Sequence, residues 1–240
     1  MSSVREIALE FLSRGGKQLR PRLCRIVYEA LAGGGPCAGD LEKVLGAVEC
    51  FHKASLVHDD IQDGDAERYG RPTVHAAHGV PVAVAVGDWL VAEGYRRLAT
   101  SGFPRAAEML CAAASSHLQL SEGQGDELLL RGVRPTEDET LSIYRRKTGE
   151  AFALAARLGA LAARESDTAE VERGLMRFGI AFGVLFQMRD DAEDREASLP
   201  TAARDLMLEE CRAALARLPA EVSRAVAAWS ESFFPSGHLR

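Results

Sequence analysis

The chain has 240 residues and a formal net charge of −6, which is long enough for one domain that encloses a ligand cavity. The acidic balance excludes a general nucleic-acid-binding surface, because backbone phosphates need a dense basic array, so we expect no nucleic-acid partner. Helix-favouring residues dominate and β-branched residues never alternate over the length of a strand, so the composition predicts an all-α protein.

Helical periodicity follows the chain from end to end. It predicts helices over residues 4–13, 19–32, 38–63, 82–100, 106–130, 136–163, 168–194 and 204–229. Thr136 and Glu139 have the spacing of a capping box, which marks a helix start after Pro135. The connectors are short and rich in glycine, proline or serine, as in an antiparallel bundle. We therefore predict a single domain over residues 1–240.

The N-terminal sequence, the apolar runs and the cysteines predict where in the cell the protein is found. We find no basic and apolar leader at the N-terminus and no apolar run of about 20 residues, so we expect no membrane span. The cysteines are scattered without metal-ligand spacing, which predicts free thiols in a reducing, cytoplasmic setting. They are Cys24, Cys37, Cys50, Cys111 and Cys211.

One short acidic pattern occurs twice, at residues 59–63 (DDIQD) and 190–194 (DDAED). Helical spacing stacks the first and last aspartate of each cluster on one face. A single cluster of this kind is most often a solvated helix face, but two clusters, each following an apolar stretch, concentrate negative charge that needs a cation. Magnesium suits such sites, because it takes one or two carboxylates and completes its shell with water and phosphate oxygens.

Basic residues recur beside the acidic clusters. Arg14, Lys17 and Arg20 bracket a Gly-Gly turn, Arg68 follows the first cluster, and Lys147 lies within the helix predicted from residue 136. Arginine grips phosphate oxygens in a bidentate manner and lysine acts as a point charge. The set predicts that the magnesium sites hold diphosphate groups.

Five motifs then occur in one order, at residues 15–21 (GGKQLRP), 52–75 (the region of the first cluster), 87–90 (GDWL), 147–149 (KTG) and 186–194 (FQMRDDAED). In this order they resemble the polyprenyl synthetase family, the trans-isoprenyl diphosphate synthases. The resemblance implies an antiparallel helix bundle of the isoprenoid synthase type with a central cavity. It also implies a magnesium-dependent prenyltransferase, with three ions per active site, that condenses an allylic diphosphate with isopentenyl diphosphate. A homodimer is expected, or a heteromeric partner.

The resemblance assigns roles to individual residues. Asp59, Asp63 and Asp190 would coordinate magnesium, and Asp60, Asp191 and Asp194 would support that shell. The allylic diphosphate would meet Arg68, Lys147, Thr148 and Gln187. Isopentenyl diphosphate would meet Lys17, Arg20 and His52.

Product length is expected to depend on the helix before the first cluster. By analogy with the family, large aromatic residues four or five positions before the first cluster stop growth at fifteen carbons. Ser55 and Ala54 stand at those positions and are small, so the pocket should run deeper. Phe51, one turn further down, would then supply the floor. We predict geranylgeranyl diphosphate, with twenty carbons, as the main product and a longer product as the alternative. Phe51 could equally be a core residue that only packs between helices.

Some residues depart from the family pattern. Tyr69 stands where most members have a second arginine, Gln18 replaces a common arginine, and no lysine follows Lys147, so the chain is expected to be shortened at its C-terminus. A non-catalytic or partner-dependent subunit of a heteromeric synthase is therefore one alternative. A class I terpene cyclase is another, although it typically has only one aspartate-rich motif. A di-iron bundle is weaker, because its Glu-x-x-His pairs are missing.

Overall fold

The computed structural model describes residues 2–33, 39–163, 169–194 and 199–234, and within them the chain is almost entirely helical. The helices are α1 (Val4–Ser13), α2 (Leu19–Ala32), α3 (Leu41–Asp63), α4 (Val74–His78), α5 (Val80–Ala99), α6 (Ala106–Leu129), α7 (Glu137–Tyr144), α8 (Glu150–Ala163), α9 (Ala169–Asp194), α10 (Thr201–Leu215) and α11 (Ala220–Glu231). A π-helical turn, Arg145–Gly149, joins α7 to α8, and strands β1 (Glu67–Arg68) and β2 (Arg71–Pro72) form a small antiparallel hairpin.

The helices pack around a central space. α3 lies against α5, α2 against α8, and α8 against α9, while α10 packs on α9 and α11 on α2. Apolar clusters fill the regions between them, with Phe182 in the cluster shared by α9 and α11, Leu158 between α3 and α8, and Phe11 between α1, α3 and α5. The all-α fold with a central cavity, predicted from the sequence, is confirmed.

Two glycines on α9 allow this helix to pack closely against α8 and against the π-helical turn that precedes α8. A Cβ on Gly183 would lie 2.5 Å from the Cα of Gly149, and one on Gly179 would lie 2.5 Å from the Cα of Ala153. Any larger residue at either glycine would force the helices apart, since such distances are shorter than van der Waals contact. The close packing brings Thr148 on the π-helical turn beside Gln187 on α9.

The ends of two helices are fixed locally. α3 begins after Asp40, whose side chain accepts a hydrogen bond from the Glu42 amide, and ends at Gly64, which has φ +73°. Gly64 therefore stops the helix directly after the first aspartate cluster. α7 begins at the capping box of Thr136 and Glu139, as predicted.

Several boundaries differ from the sequence prediction. The single helix predicted over 204–229 is two helices, because Pro219 cannot continue α10 and instead caps α11. The helix predicted over 136–163 contains the π-helical turn, and the hairpin and α4 were not predicted. Ala38, where the third helix was predicted to begin, lies outside the described residues, and that helix begins at Leu41.

In the described part of the chain, no helix is long and apolar enough to cross a membrane. The four described cysteines are free thiols, and Cys37 lies outside the described residues.

Candidate active site

One cavity of about 960 Å³ lies between α2, α3, α6, α8 and α9, and most of the predicted site residues line it. Those that line it are Lys17, Arg20, Phe51, His52, Ala54, Ser55, Asp59, Lys147, Thr148, Gln187 and Asp190. Asp60, Asp63, Arg68 and Asp191 do not line it, and the Asp194 side chain lies outside what the structure describes.

The first aspartate cluster occupies the last turns of α3. Asp59 borders the cavity, and burial raises its pKa to about 6, a rise that nearby Lys147 opposes and Asp63 adds to. Asp63 forms an ion pair with Arg131, which also donates a hydrogen bond of 2.6 Å from Nη1 to the Gln62 carbonyl. Asp59 therefore places a partly buried carboxylate at the cavity wall, where a bound cation would offset the cost of its burial.

Asp60 points away from the cavity towards the hairpin. It is 1% exposed, and its Oδ1 accepts a hydrogen bond of 2.5 Å from Arg68 Nε. Arg68 also approaches Asp65, at 3.5 Å. The contact between Asp60 and Arg68 therefore anchors the hairpin to α3.

The second cluster lies at the end of α9. Asp190 borders the cavity, and burial raises its pKa against the opposing charges of Arg189 and Lys17. Asp191 is buried and accepts a 2.8 Å hydrogen bond from Gln187 Nε2 and another from the Tyr144 hydroxyl. Asp191 thus fixes the side chains around Asp190.

The π-helical turn carries Lys147 and Thr148, and both line the cavity. Turns of this kind recur at functional sites because they widen the backbone locally. Lys147 pairs with Glu127 of α6, and Thr148 Oγ1 donates a 2.8 Å hydrogen bond to Gln187 Oε1. The turn thereby connects Lys147 and Thr148 to the second cluster through Gln187 and Asp191.

Lys17, Arg20, His52 and Tyr69 form a second face of the cavity, which we call the basic wall. Arg20 Nη1 lies 3.5 Å from His52 Nε2, and the Arg20 guanidinium lies 4.5 Å from the centre of the Phe152 ring. Burial lowers the pKa of Arg20 to about 10, so it remains charged at neutral pH. Burial, together with Arg20, lowers the pKa of His52 well below its usual value, so His52 is a neutral hydrogen-bonding group.

The apolar end of the cavity is bordered by Phe51. A Cβ on Gly94 would lie 2.3 Å from the Phe51 ring, so α5 closes the far side of the ring. His117 and Tyr95 meet the ring edge to face at centroid distances of 4.5 and 5.2 Å, and the Tyr95 hydroxyl lies 2.7 Å from His117 Nδ1. Ala54 and Ser55 line the cavity above this aromatic group.

The site offers oxygen ligands for a hard cation. Asp59 of α3 and Asp190 of α9 border the same cavity. Among the described residues, no group of three histidine, cysteine, aspartate or glutamate side chains could hold a metal ion by itself. Magnesium fits the residues present, because it uses few protein carboxylates and takes its remaining ligands from water and phosphate.

A family model described as Polyprenyl synthetase matches residues 1–210. The chain belongs to the polyprenyl synthetase family. A short chain isoprenyl diphosphate synthase of Methanocaldococcus jannaschii is 35% identical over 188 residues, which cover 76% of this chain and 55% of that protein. A geranylgeranyl diphosphate synthase of Mycobacterium tuberculosis is 39% identical, over 73% of this chain and 49% of that protein. The chain thus spans about half the length of these two family members.

Solved structures give the same fold. The geranyltransferase of Helicobacter pylori has a TM-score of 0.88 and 24% identity, covering 98% of this chain and 91% of that one. A second structure of that enzyme, complexed with magnesium and isoprenyl diphosphate, also has a TM-score of 0.88, with 22% identity over 98% of this chain and 89% of that one. At these identities the likeness shows the fold alone.

Several residues around the site were not singled out in the sequence. Glu127 and Tyr144 contact Lys147 and Asp191, and the spacing of Tyr144 three residues before Lys147 was an available signal. Tyr95 and His117 come from α5 and α6 and meet Phe51 only through tertiary packing. In this family member, therefore, the motifs identify the polar end of the cavity and leave much of its apolar end unmarked.

Proposed function

We propose that this chain is a trans-prenyltransferase that joins an allylic diphosphate to isopentenyl diphosphate and releases a linear isoprenyl diphosphate. One observation carries the proposal. Asp59 and Asp190 both line one cavity, and Ala54 and Phe51 line the same cavity further along α3 from Asp59. A diphosphate needs cations and polar partners, whereas its isoprenoid tail needs an apolar cavity, so the two ends match the two halves of one substrate.

Magnesium is the proposed cofactor, with three ions per active site. Asp59, Asp63 and Asp190 would hold it, and Asp60, Asp191 and Asp194 would support those ligands. The complex of the Helicobacter pylori enzyme with magnesium and isoprenyl diphosphate supports this choice, as does the oxygen-only donor set. Magnesium would stabilise the charge that develops on the departing diphosphate.

The protein's own residues would position and protect the reactants. Lys147 carries a positive charge beside Asp59, and Thr148 and Gln187, joined at 2.8 Å, present hydroxyl and amide groups to the same region. These groups would orient the allylic diphosphate while the apolar part of the cavity excludes water from the reacting carbon. Arg68, held by Asp60, is expected to contribute through its charge rather than by direct contact. The double bond of isopentenyl diphosphate would then attack the allylic carbon as the diphosphate leaves. The cation formed by this attack would lose one proton to give the new double bond, and the departed diphosphate is the proposed acceptor of that proton.

The acceptor substrate would bind at the basic wall. Arg20 Nε and Glu49 Oε2 are buried and have no hydrogen-bond partner among the described residues. Leaving such groups unpaired is costly, so a polar ligand bound there would relieve the cost for Arg20. Lys17, Arg20 and the neutral His52 would hold the diphosphate of isopentenyl diphosphate.

Geranylgeranyl diphosphate is the proposed main product. Phe51 lies eight residues before Asp59, which is about 12 Å along α3. Ala54 and Ser55 leave the space between them open. The growing chain would therefore stop at the aromatic group of Phe51, His117 and Tyr95.

We also propose a homodimer, with a heteromeric partner as the alternative. Val80 and Val84 of α5 are 48% and 41% exposed, and Leu118 of α6 is 66% exposed. Exposed apolar side chains on two neighbouring helices are suited to a subunit contact. Light scattering during gel filtration would give the mass of the purified chain directly.

A direct assay uses purified protein, magnesium, radiolabelled isopentenyl diphosphate and each allylic primer in turn. Transfer of label into a longer isoprenyl diphosphate is the expected result, and chelation of magnesium should abolish it. Hydrocarbon formed without isopentenyl diphosphate would instead indicate a terpene cyclase. Turnover only after a second protein is added would indicate a partner-dependent subunit.

A further inference from the structure

A lysine is fully buried behind the basic wall. Lys53 follows His52 on α3 and is 0% exposed, and its ammonium donates hydrogen bonds of 2.9 Å to the Arg14 carbonyl and 2.7 Å to the Gly15 carbonyl. Burying an ammonium is expensive even when it is hydrogen-bonded, and an apolar residue of similar length would avoid that cost. The position therefore calls for an explanation beyond packing.

Tyr69 is held in an unusual backbone conformation directly above this lysine. It has φ +55° and, with Gly70 at φ +70°, forms the two-residue turn between β1 and β2. Such turns favour asparagine or glycine at the first position, and a bulky side chain there costs about 1 kcal/mol or more. The Tyr69 ring centre lies 4.5 Å from Lys53 Nζ, so a cation–π contact offsets part of this strain.

Lys53 thereby connects three segments that each contribute to the basic wall. Its carbonyl partners belong to the connection that carries Lys17, its own helix carries His52, and its aromatic partner is Tyr69. The Tyr69 hydroxyl lies beside Gly16, 3.5 Å from where a Cβ would be, and Tyr69 borders the cavity while remaining 46% exposed. Its hydroxyl is thus close to the backbone that presents Lys17.

Strained residues persist where the surrounding structure fixes them, and they cluster at functional sites. We propose that Lys53 and Tyr69 act as a matched pair that holds the basic wall in the geometry needed for the diphosphate of the acceptor substrate. Tyr69 donates its hydroxyl to that diphosphate, and Lys53 is the positioning residue that fixes Tyr69 and the Lys17 segment. This inference rests on the proposed function, because it assigns the acceptor to this wall.

The first test measures binding of isopentenyl diphosphate to the full chain by calorimetry in magnesium-free buffer. Lys53→Met should weaken binding about tenfold, and Tyr69→Phe about three- to tenfold, the range expected when one solvent-accessible hydrogen bond is lost or misplaced. Lys43→Met is the matched control, because Lys43 is on the same helix and its ammonium also donates to a carbonyl, that of Thr100 at 2.8 Å. Lys43→Met should bind like the wild type.

Steady-state kinetics separate positioning from a general structural effect. Both variants should raise the KM for isopentenyl diphosphate and leave the KM for the allylic diphosphate within about twofold. Equal rises in both KM values, or Lys53→Met binding like Lys43→Met, would overturn the proposal. If Lys53→Met does not fold, Tyr69→Leu on the exposed turn removes both the hydroxyl and the ring, and it must show the same selective rise.

Exchange of charge provides a second test. Tyr69→Arg alone would place a guanidinium against the Lys53 ammonium, so it should bind isopentenyl diphosphate no better than the wild type. In the Lys53→Met background, Tyr69→Arg should recover at least wild-type binding. An equal gain from Tyr69→Arg in both backgrounds would show that the two positions are independent.

If the wild type neither binds nor elongates isopentenyl diphosphate, this inference and the proposed function both fail. Wild-type turnover together with variants that behave like the wild type refutes only this inference.

Discussion

The position of the Phe51 ring predicts two opposite changes in product length. Phe51→Ala removes the ring that borders the apolar end of the cavity, so the product should become longer. Gly94→Ala places a Cβ 2.3 Å from the present position of that ring. Because the α5 backbone closes that side, the ring must move into the cavity, and the product should become shorter.

The expected magnitudes follow from the sizes of the groups. The phenyl ring that Phe51→Ala removes is slightly larger than one five-carbon isoprene unit, so the main product should shift from twenty to twenty-five carbons. Gly94→Ala should shift it towards fifteen. Phe51→Ala should also lower the free energy of unfolding by about 3 kcal/mol, at the low end for buried phenylalanine because the ring already borders a cavity.

The assay is chromatography of the dephosphorylated products, with thermal unfolding measured in parallel. Phe178→Ala is the control for the first variant, because Phe178 is fully buried and lies away from the cavity lining. Gly46→Ala is the control for the second, because it perturbs the same α3 and α5 contact at Arg97 instead of Phe51. Neither control should change the product. Wild-type product length in both Phe51→Ala and Gly94→Ala would refute the placement of the floor.

Three further predictions concern the surroundings of the site. Arg131→Met should lower the magnesium concentration that gives half-maximal rate by roughly two- to fivefold, because Arg131 no longer competes with the ion for Asp63. Tyr144→Phe should lower the free energy of unfolding by about 1 to 3 kcal/mol in urea titrations and reduce turnover, because its hydrogen bond to the second aspartate cluster is lost. Hydrogen bonding from Arg96 lowers the pKa of Glu93 from 4.5 to about 2. The stability that the ionised Glu93 contributes is therefore present above pH 4.5 and lost as the pH falls towards 2. Acid unfolding of Glu93→Gln should lack this loss.

Each of these predictions has a result that contradicts it. An unchanged magnesium requirement in Arg131→Met would mean that the ion pair does not compete with metal binding. Full activity and stability in Tyr144→Phe would show that the hydroxyl does not hold the second cluster. Parallel acid-unfolding curves for the wild type and Glu93→Gln would remove Glu93 as a source of the pH dependence.

The polar end of the site could be predicted because its residues lie in local patterns. The spacing within each aspartate cluster and the Lys147-Thr148 pair are visible in the sequence, and the cavity brings Asp59, Asp190 and Lys147 together. The resemblance gives Asp59 and Asp60 different roles, but the sequence does not name the partner of Asp60, because that partner is set by where its side chain leaves the helix and by tertiary packing. Only the structure shows that Asp60 turns to Arg68.

The rest of the fold and the site depends on contacts between distant segments. The periodicity predicted most helices, but it merged α10 with α11 across Pro219 and gave no sign of the π-helical turn. His117 lies 66 residues from Phe51 in sequence and meets it only because α3 and α6 are brought together in the bundle. In the sequence, Lys53 does not differ from the other polar residues of α3. Its role depends on contacts with the Gly15 carbonyl and the Tyr69 ring, which come from distant segments.

The central claim is that the clusters on α3 and α9 act on one diphosphate, and a double-mutant cycle tests it most directly. Condensation rates with saturating magnesium are compared for Asp59→Asn, Asp190→Asn and the double variant, with exposed Asp205→Asn on α10 as the control. Each single variant should keep its helical circular dichroism and lose about a thousandfold or more in kcat. The kcat of the double variant should be little lower than that of the less active single variant, because the effects of residues that act as a unit are not additive. Near-normal kcat in either single variant, or losses that multiply in the double variant, would contradict the claim.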